Sequence, residues 1–208
     1  TSRGLRPRRA CRPRSTCSGA PRSPRNPFLL FDHFAFNDPL EGPIRGFPYH
    51  PHRGIETVTY LLSGRNEHRD SAGHTGVVAA GGAQWMTAGR GIVHAERPVA
   101  ETDEDLTVHG IQLWTSLPRA LKHTEPAYQR IDADAIASIA AIGATVRVIA
   151  GEFAGRRGPA QTRMPTFLWH VSIAANASFE AELAPDFEAA AYVIEGEGDF
   201  GGASAGVG

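Results

Sequence analysis

Two short runs in this sequence carry side chains suited to holding a metal ion, His50-Pro51-His52 and His94-Ala95-Glu96. Each places its two polar groups at i and i+2. In an extended strand such residues project from one face, roughly 6.5 to 7 Å apart along the chain, so each run supplies half a chelate. Two such strands facing each other across a narrow barrel would bring four ligands to one point. A single His-x-His is a weak signal, because surface histidines often fall two apart. A His-x-Glu placed after the turn Gly89-Arg90-Gly91, in a chain of short strands, makes the two pairs together specific. Glu56 shares parity with His52, and His-x-His-x3-Glu is itself a ligand pattern, so five candidates face inward. A six-coordinate ion with four protein ligands keeps two positions for water, oxygen or substrate, so the extra carboxylate need not bind metal. Three imidazoles and a carboxylate suit iron(II), manganese, nickel, copper or zinc, whereas calcium and magnesium sites are built mainly from oxygen. His33, His68, His74, His109, His123 and His170 lack a partner at this spacing and read as solvated or hydrogen-bonded groups.

Strands must position these groups, and the chain's texture supplies them. Among 208 residues there are 23 Gly and 15 Pro, set between many short apolar runs, which points away from a helical bundle. Ile55 to Ser63 is rich in β-branched and aromatic residues and closes on Ser63-Gly64-Arg65-Asn66. Thr75 to Ala79 leads into Gly81-Gly82, Gln84 to Thr87 leads into Gly89, and Ile92 to Glu96 and Leu106 to Trp114 follow. Strands at this spacing predict an all-β sandwich or barrel. Pro118 to Ala141 reads as a connector, with a short helix capped by Asp132 or Asp134. Thr145 to Ala150, Thr166 to Ala174 and Ala190 to Glu195 then predict strands of a second β-unit, and the glycine-rich end from Gly201 is expected to be flexible rather than a strand.

Residues 1–25 differ from the rest. They hold eight arginines ahead of the first acidic residue, Asp32, and almost nothing apolar except Leu5, so the arm is expected to be disordered. The net charge of -1 therefore hides an acidic body, since residues 26–208 carry nine more acidic than basic side chains, and direct nucleic-acid binding is not expected. No apolar stretch approaches the roughly 18 residues of a membrane span, and no signal-peptide pattern opens the chain. A soluble, cytoplasmic protein is the resulting expectation. Cys11 and Cys17, the only cysteines, both lie in the arm and provide no disulfide framework for the body.

Longer runs carry a family resemblance. Asn26 to Asp38, the run Gly46-Phe-Pro-Tyr-His-Pro-His-Arg-Gly-Ile-Glu-Thr-Val-Thr-Tyr60, Gly73-His-Thr-Gly76 and Gln84-Trp-Met-Thr-Ala-Gly-Arg-Gly-Ile-Val-His-Ala-Glu96 resemble pirin, a family of two-barrel (bicupin) proteins. The likeness continues through Gly110-Ile-Gln-Leu-Trp114, Glu125 to Tyr128 and Val146 to Gly155, and covers residues 26 to about 200. It implies a cupin-type β-barrel followed by a second cupin barrel, with iron in the first only. The arm before Asn26 does not match a pirin start, and the chain ends before several strands that would close the second barrel, so an incomplete second barrel is expected. The implied organisation is an arm over 1–25, a metal-binding cupin domain over 26–118, a connector over 119–142 and a partial cupin domain over 143–208.

By position, the resemblance puts the iron(II) ligands on His50, His52, His94 and Glu96 and so selects Glu96 over Glu56. It implies a flavonol (quercetin) dioxygenase that opens the substrate ring with O2. Glu96 is then the expected catalytic base, with Glu56 as second candidate. Arg53, Trp85, Met86 and Arg90 flank the ligand runs and either line the pocket or serve turn and core. The alternative the family offers is a non-enzymatic, iron-dependent transcription co-regulator that engages a protein partner, nuclear if eukaryotic; an inactive fragment is a third reading.

Overall fold

A computed structural model describes residues 27–38, 46–99 and 106–208; the arm over 1–25, expected to be disordered, lies outside the described residues. Nine strands build the first unit: β1 (Phe28–Asp38), β2 (Phe47–His52), β3 (Ile55–Ser63), β4 (Arg65–Asp70), β5 (Thr75–Ala79), β6 (Ala83–Thr87), β7 (Ile92–Pro98), β8 (Leu106–Ser116) and β9 (Ala127–Ile131). They form two antiparallel sheets, ordered β1-β8-β3-β6-β9 and β2-β7-β4-β5. The sheets face one another, and Phe34, Leu61, Val78 and Val108 pack together between them. At the other end Met86, Ala88 and Ile92 make a second apolar cluster, against which Ile55 and Tyr128 lie.

The glycines do specific work at the turns beside β2 and β7. Gly54 joins β2 to β3 with φ 68°, and Gly89 joins β6 to β7 with φ 49°, both in the left-handed region that a Cβ disfavours. A Cβ on Gly89 would also collide with the Thr124 carbonyl oxygen. The two turns are tied to each other, because Gly54 N–H donates to Gly89 O at 2.8 Å and Ala88 N–H donates to Ile55 O at 2.9 Å. The starts of β3 and β7 are thereby fixed relative to one another.

The five-stranded sheet is buried on both faces. Thr57, Thr59 and Leu61 of β3 point between the two sheets, while Val58 and Tyr60 point the other way, as strand alternation requires. That outer face meets a second unit made of β10 (Ala137–Ala141), β11 (Ala144–Ala150), the two-residue pair β12 (Glu152–Phe153) and β13 (Arg156–Arg157), and β14 (Leu168–Ile173). Val58, Trp85 and Leu113 pack with Ala150, and Tyr60, Ala83, Ile111 and Ile131 pack with Ile136 and Ile149. The segment expected as a connector, 119–142, thus contributes a strand to each sheet: β9 completes the first and β10 opens the three-stranded β10-β11-β14 sheet. The helix expected near Asp132 is a single 3-10 turn over Ala133–Ala135, preceded by Asp132.

Two C-terminal expectations are corrected. Residues 190–195 form no strand, whereas β15 (Glu197–Phe200) and β16 (Ala203–Gly206) pair as a hairpin in the glycine-rich end expected to be without one. Gly201 and Gly202, with φ 63° and 93°, form its turn, and such a mirror-image turn is what closes a two-residue hairpin regardless of strand propensity. Apart from two 3-10 turns the described chain is strands and loops, and none of its helices is long and apolar enough to cross a membrane.

Candidate metal centre

β2 and β7 are hydrogen-bonded neighbours in one sheet, with His50 opposite His94, and Phe47 opposite Glu96 across an irregularity between Phe47 and His50. The two candidate pairs therefore do not face each other across the barrel, as two strands of opposite sheets would. They lie side by side, and directly opposed residues of antiparallel strands bring their Cβ atoms within about 5 Å. The ring centroids are 4.5 Å apart for His50 and His94, 4.8 Å for His50 and His52, and 4.9 Å for His52 and His94. One nitrogen from each ring lies within 4.8 Å of the others, close enough for the three to hold a metal ion.

Hydrogen bonding orients two of these rings, His50 and His94. His50 Nδ1–H donates to the Pro48 carbonyl at 2.7 Å, which in the neutral tautomer leaves the lone pair on Nε2. His94 Nδ1 lies 3.3 Å from the Tyr128 hydroxyl, and His94 Nε2 stands 4.0 Å from Glu96 Oε2. The Nε2 atoms of His52 and His94 are buried with no hydrogen-bond partner. A buried polar atom left unpaired costs on the order of 1–3 kcal/mol, and two of them converging beside a carboxylate fit a cation.

Charge states agree with that fit. Burial first, then the His50 ring, pushes His52 down to about 4. Burial, with His50 and His52 adding to it, pushes His94 down to about 3. Both rings are neutral at ordinary pH and keep their lone pairs. Burial raises Glu96, opposed by hydrogen bonds from Gln112 and Thr59 and by the nearby His50. A carboxylate so enclosed is stabilised by a positive partner, which a bound cation supplies.

Glu56 does not join this cluster. The Arg53-Gly54 turn separates β2 from β3 and moves the chain to the other sheet, so the parity between His52 and Glu56 is lost. On β3 the side chain of Thr59 reaches Glu96 from the inner face, and Glu56, three residues earlier, projects from the outer one. There Thr87 Oγ1–H donates to Glu56 Oε1 at 2.7 Å, and burial raises the carboxyl. The expectation that five candidates face inward is thus corrected to four.

Other flanking residues separate by face. Met86 packs inside with Ile92, and Trp85 packs outside against Ala150. Arg90 pairs with Glu125 at 2.8 Å on the surface, and Arg53 lies 3.5 Å from His123. Sequence reasoning missed four residues at the site. Thr59, Gln112 and Trp114 could have been found by strand parity once β3 and β8 were paired. Tyr128 could not, since its segment carried no strand signal before β9 was seen. His68, read as a solvated or hydrogen-bonded histidine, is buried and stacks on Tyr128 with centroids 4.5 Å apart and planes 13° from parallel.

Residues 8–115 match the family model described as Pirin, a match that reaches back into the arm. A pirin-like protein of Arabidopsis thaliana is 42% identical over 176 residues, 85% of this chain and 55% of that protein. Human pirin is 42% identical over 173 residues, 83% of this chain and 57% of its own length. The chain thus spans somewhat over half the length of these relatives. A solved structure of a quercetin 2,3-dioxygenase from Acinetobacter baumannii superposes with a TM-score of 0.64 at 41% identity, covering 69% of this chain and 51% of that one. With two facing antiparallel sheets, a three-histidine cluster on adjacent strands and a family model matched over half its length, the chain belongs to the pirin family.

Proposed function

We propose that the chain binds one iron(II) ion through His50, His52, His94 and Glu96 and, with dioxygen, opens the ring of a flavonol of the quercetin type. The observation that carries this reading is the convergence of the unpaired His52 and His94 Nε2 atoms beside Glu96. The likeness to a solved quercetin 2,3-dioxygenase supports the choice of substrate. Bound there, the ion would act as a Lewis acid that makes the flavonol hydroxyl more acidic and as a template for substrate and dioxygen. Glu96 accepts the hydroxyl proton on its carboxylate. The neutral imidazoles keep their lone pairs for the ion. Met86 and Ile92 make the neighbouring wall apolar, and the Trp114 ring meets His52 edge-on at 4.8 Å, so water is restricted around the reacting group.

The test is reconstitution with iron(II) without oxygen, followed by air and quercetin. The expected result is one dioxygen consumed and one carbon monoxide released per flavonol opened. Stoichiometric iron with no loss of quercetin would overturn the enzymatic reading and leave a metal-dependent interaction protein.

The two carboxylates separate in the same preparation. Glu96→Gln exchanges the only anionic ligand for a neutral amide and is expected to weaken iron binding by at least tenfold, whereas Glu56→Gln keeps it, because its side chain lies on the far face of β3. Elemental analysis after desalting reads both, and equal metal loss in the two variants would contradict the assignment.

A further inference from the structure

Glu96 is held by a chain of side chains that lies outside the ligand set. Gln112 Nε2–H donates to Glu96 Oε2 at 2.9 Å and to Thr59 Oγ1 at 3.2 Å, and Thr59 Oγ1–H donates to Glu96 Oε1 at 3.2 Å. Trp114 Nε1–H donates to Gln112 Oε1 at 2.8 Å. An indole N–H can only donate, so the amide oxygen of Gln112 must face Trp114 and its NH2 group must face the carboxylate. Both Gln112 hydrogens are then used, one on Glu96 and one on Thr59, and no alternative flip of the amide satisfies the three contacts. Thr59, Gln112 and Glu96 are all buried, so water does not substitute for a lost partner without cost.

The same Trp114 ring lies edge-on to His52, with centroids 4.8 Å apart and planes at 84°. One residue of β8 thus touches a ligand on β2 directly and, through Gln112, a ligand on β7. Its place in the fold explains this reach: Gln112 and Trp114 project from the inner face of β8, opposite Thr59 and Thr57 of β3, and look across the interior at the sheet that carries the ligands.

We infer that Gln112, with its direction set by Trp114, is the positioning residue that aims the Glu96 carboxylate at the metal. The inference rests on the metal-site reading above. It assigns to Gln112 and Trp114 no contact with metal or substrate. Their effect runs through the orientation of Glu96, and through the His52 ring in the case of Trp114. Outer partners of this kind typically change metal affinity by about 10–100-fold when removed.

The full chain is titrated with cobalt(II), used as a coloured stand-in, against a competing chelator, for wild type, Gln112→Leu and Trp114→Phe. The thermal midpoint of each metal-free protein controls for folding. Gln112→Leu is expected to bind cobalt on the order of 10–100-fold more weakly and with an altered visible absorption envelope. Trp114→Phe keeps an aromatic ring against His52 but removes the N–H, and is expected to shift the same envelope in the same direction by less. A packing role alone would lower the thermal midpoint and leave the envelope of the bound ion unchanged. Wild-type affinity and envelope in Gln112→Leu overturn the inference while leaving the metal site standing. If Gln112→Leu does not fold, Trp114→Phe decides by the same criterion. A wild-type protein that takes up no cobalt overturns the metal reading itself, and the inference falls with it.

Discussion

His94→Ala is expected to yield a folded protein that emerges from iron reconstitution and desalting with almost no metal, against about one ion per chain expected of the wild type. His94 is only 1% exposed and sits at the middle of the cluster, with His50 directly across the strand pair and Glu96 two residues along. Its loss removes the imidazole that meets the Tyr128 hydroxyl and leaves, of the three rings, His50 and His52 on a single strand. Removal of an outer partner typically weakens a metal by about 10–100-fold, and removal of a ligand from so compact a set should exceed that. The fold is expected to survive because the deletion also removes a buried nitrogen that has no partner in the metal-free protein. Elemental analysis and circular dichroism on one preparation read the two expectations. Near-stoichiometric iron in a folded variant would exclude the site as described.

Acid is expected to destabilise the metal-free protein strongly as pH falls from about 6.5 toward 4, and the sign follows from the histidines. His52 and His94 sit at about 4 and about 3 in the fold against an ordinary 6.5. Above 6.5 both are neutral whether the chain is folded or not, and nothing is lost. Between 6.5 and 4 the unfolded chain gains protons that the folded chain refuses, so stability drops with each step down in pH. His33, His68 and His170 are lowered as well, chiefly by burial, and act in the same direction. Glu56 and Glu96 are raised and act the other way, since their buried carboxyls gain stability on protonation. A tenfold change in proton affinity between folded and unfolded chain corresponds to about 1.4 kcal/mol. Even part of the displacement at His52 and His94 is therefore large against a typical stability of roughly 5–15 kcal/mol. Urea midpoints measured above pH 6.5 and again between 6.5 and 4 should differ clearly. An unchanged midpoint would mean that these rings are solvated and not enclosed.

The same-face pairing of His50 with His52, and of His94 with Glu96, is legible in the sequence because i, i+2 spacing in a strand is a local property, set by two residues and the pleat. Glu56 is misplaced by the same logic, because parity survives only within one strand, and Arg53-Gly54 ends β2 before Glu56 is reached. The adjacency of β2 and β7 cannot be read at all. Sheet order depends on which strands pair over long separations, and neither run carries a signal for its partner. The interior polar chain of Thr59, Gln112 and Trp114 is hidden for the same reason, since only the pairing of β3 with β8 places these side chains on a common face. Tyr128 is lost inside a segment with proline and charge at its start, where Ala127–Ile131 becomes a strand only because β6 offers it an edge. At the C-terminus, Ala190 to Glu195 has apolar composition but gains no neighbouring strand, while Ala203–Gly206, with little strand propensity, is folded back by two glycines.

The strand β3, enclosed on both faces, gives the molecule a lever whose handle lies away from the candidate ligands. Val58 meets Ala150 of the second unit on one side, and its neighbour Thr59 grips Glu96 on the other. A change in bulk at Ala150 or Leu168 presses on the same stretch of backbone that carries the Glu96 contact. For an engineer the outer face of this sheet is therefore a set of tuning screws, where the Glu96 carboxylate is adjusted by repacking oil-like side chains while every candidate metal-binding group stays as it is.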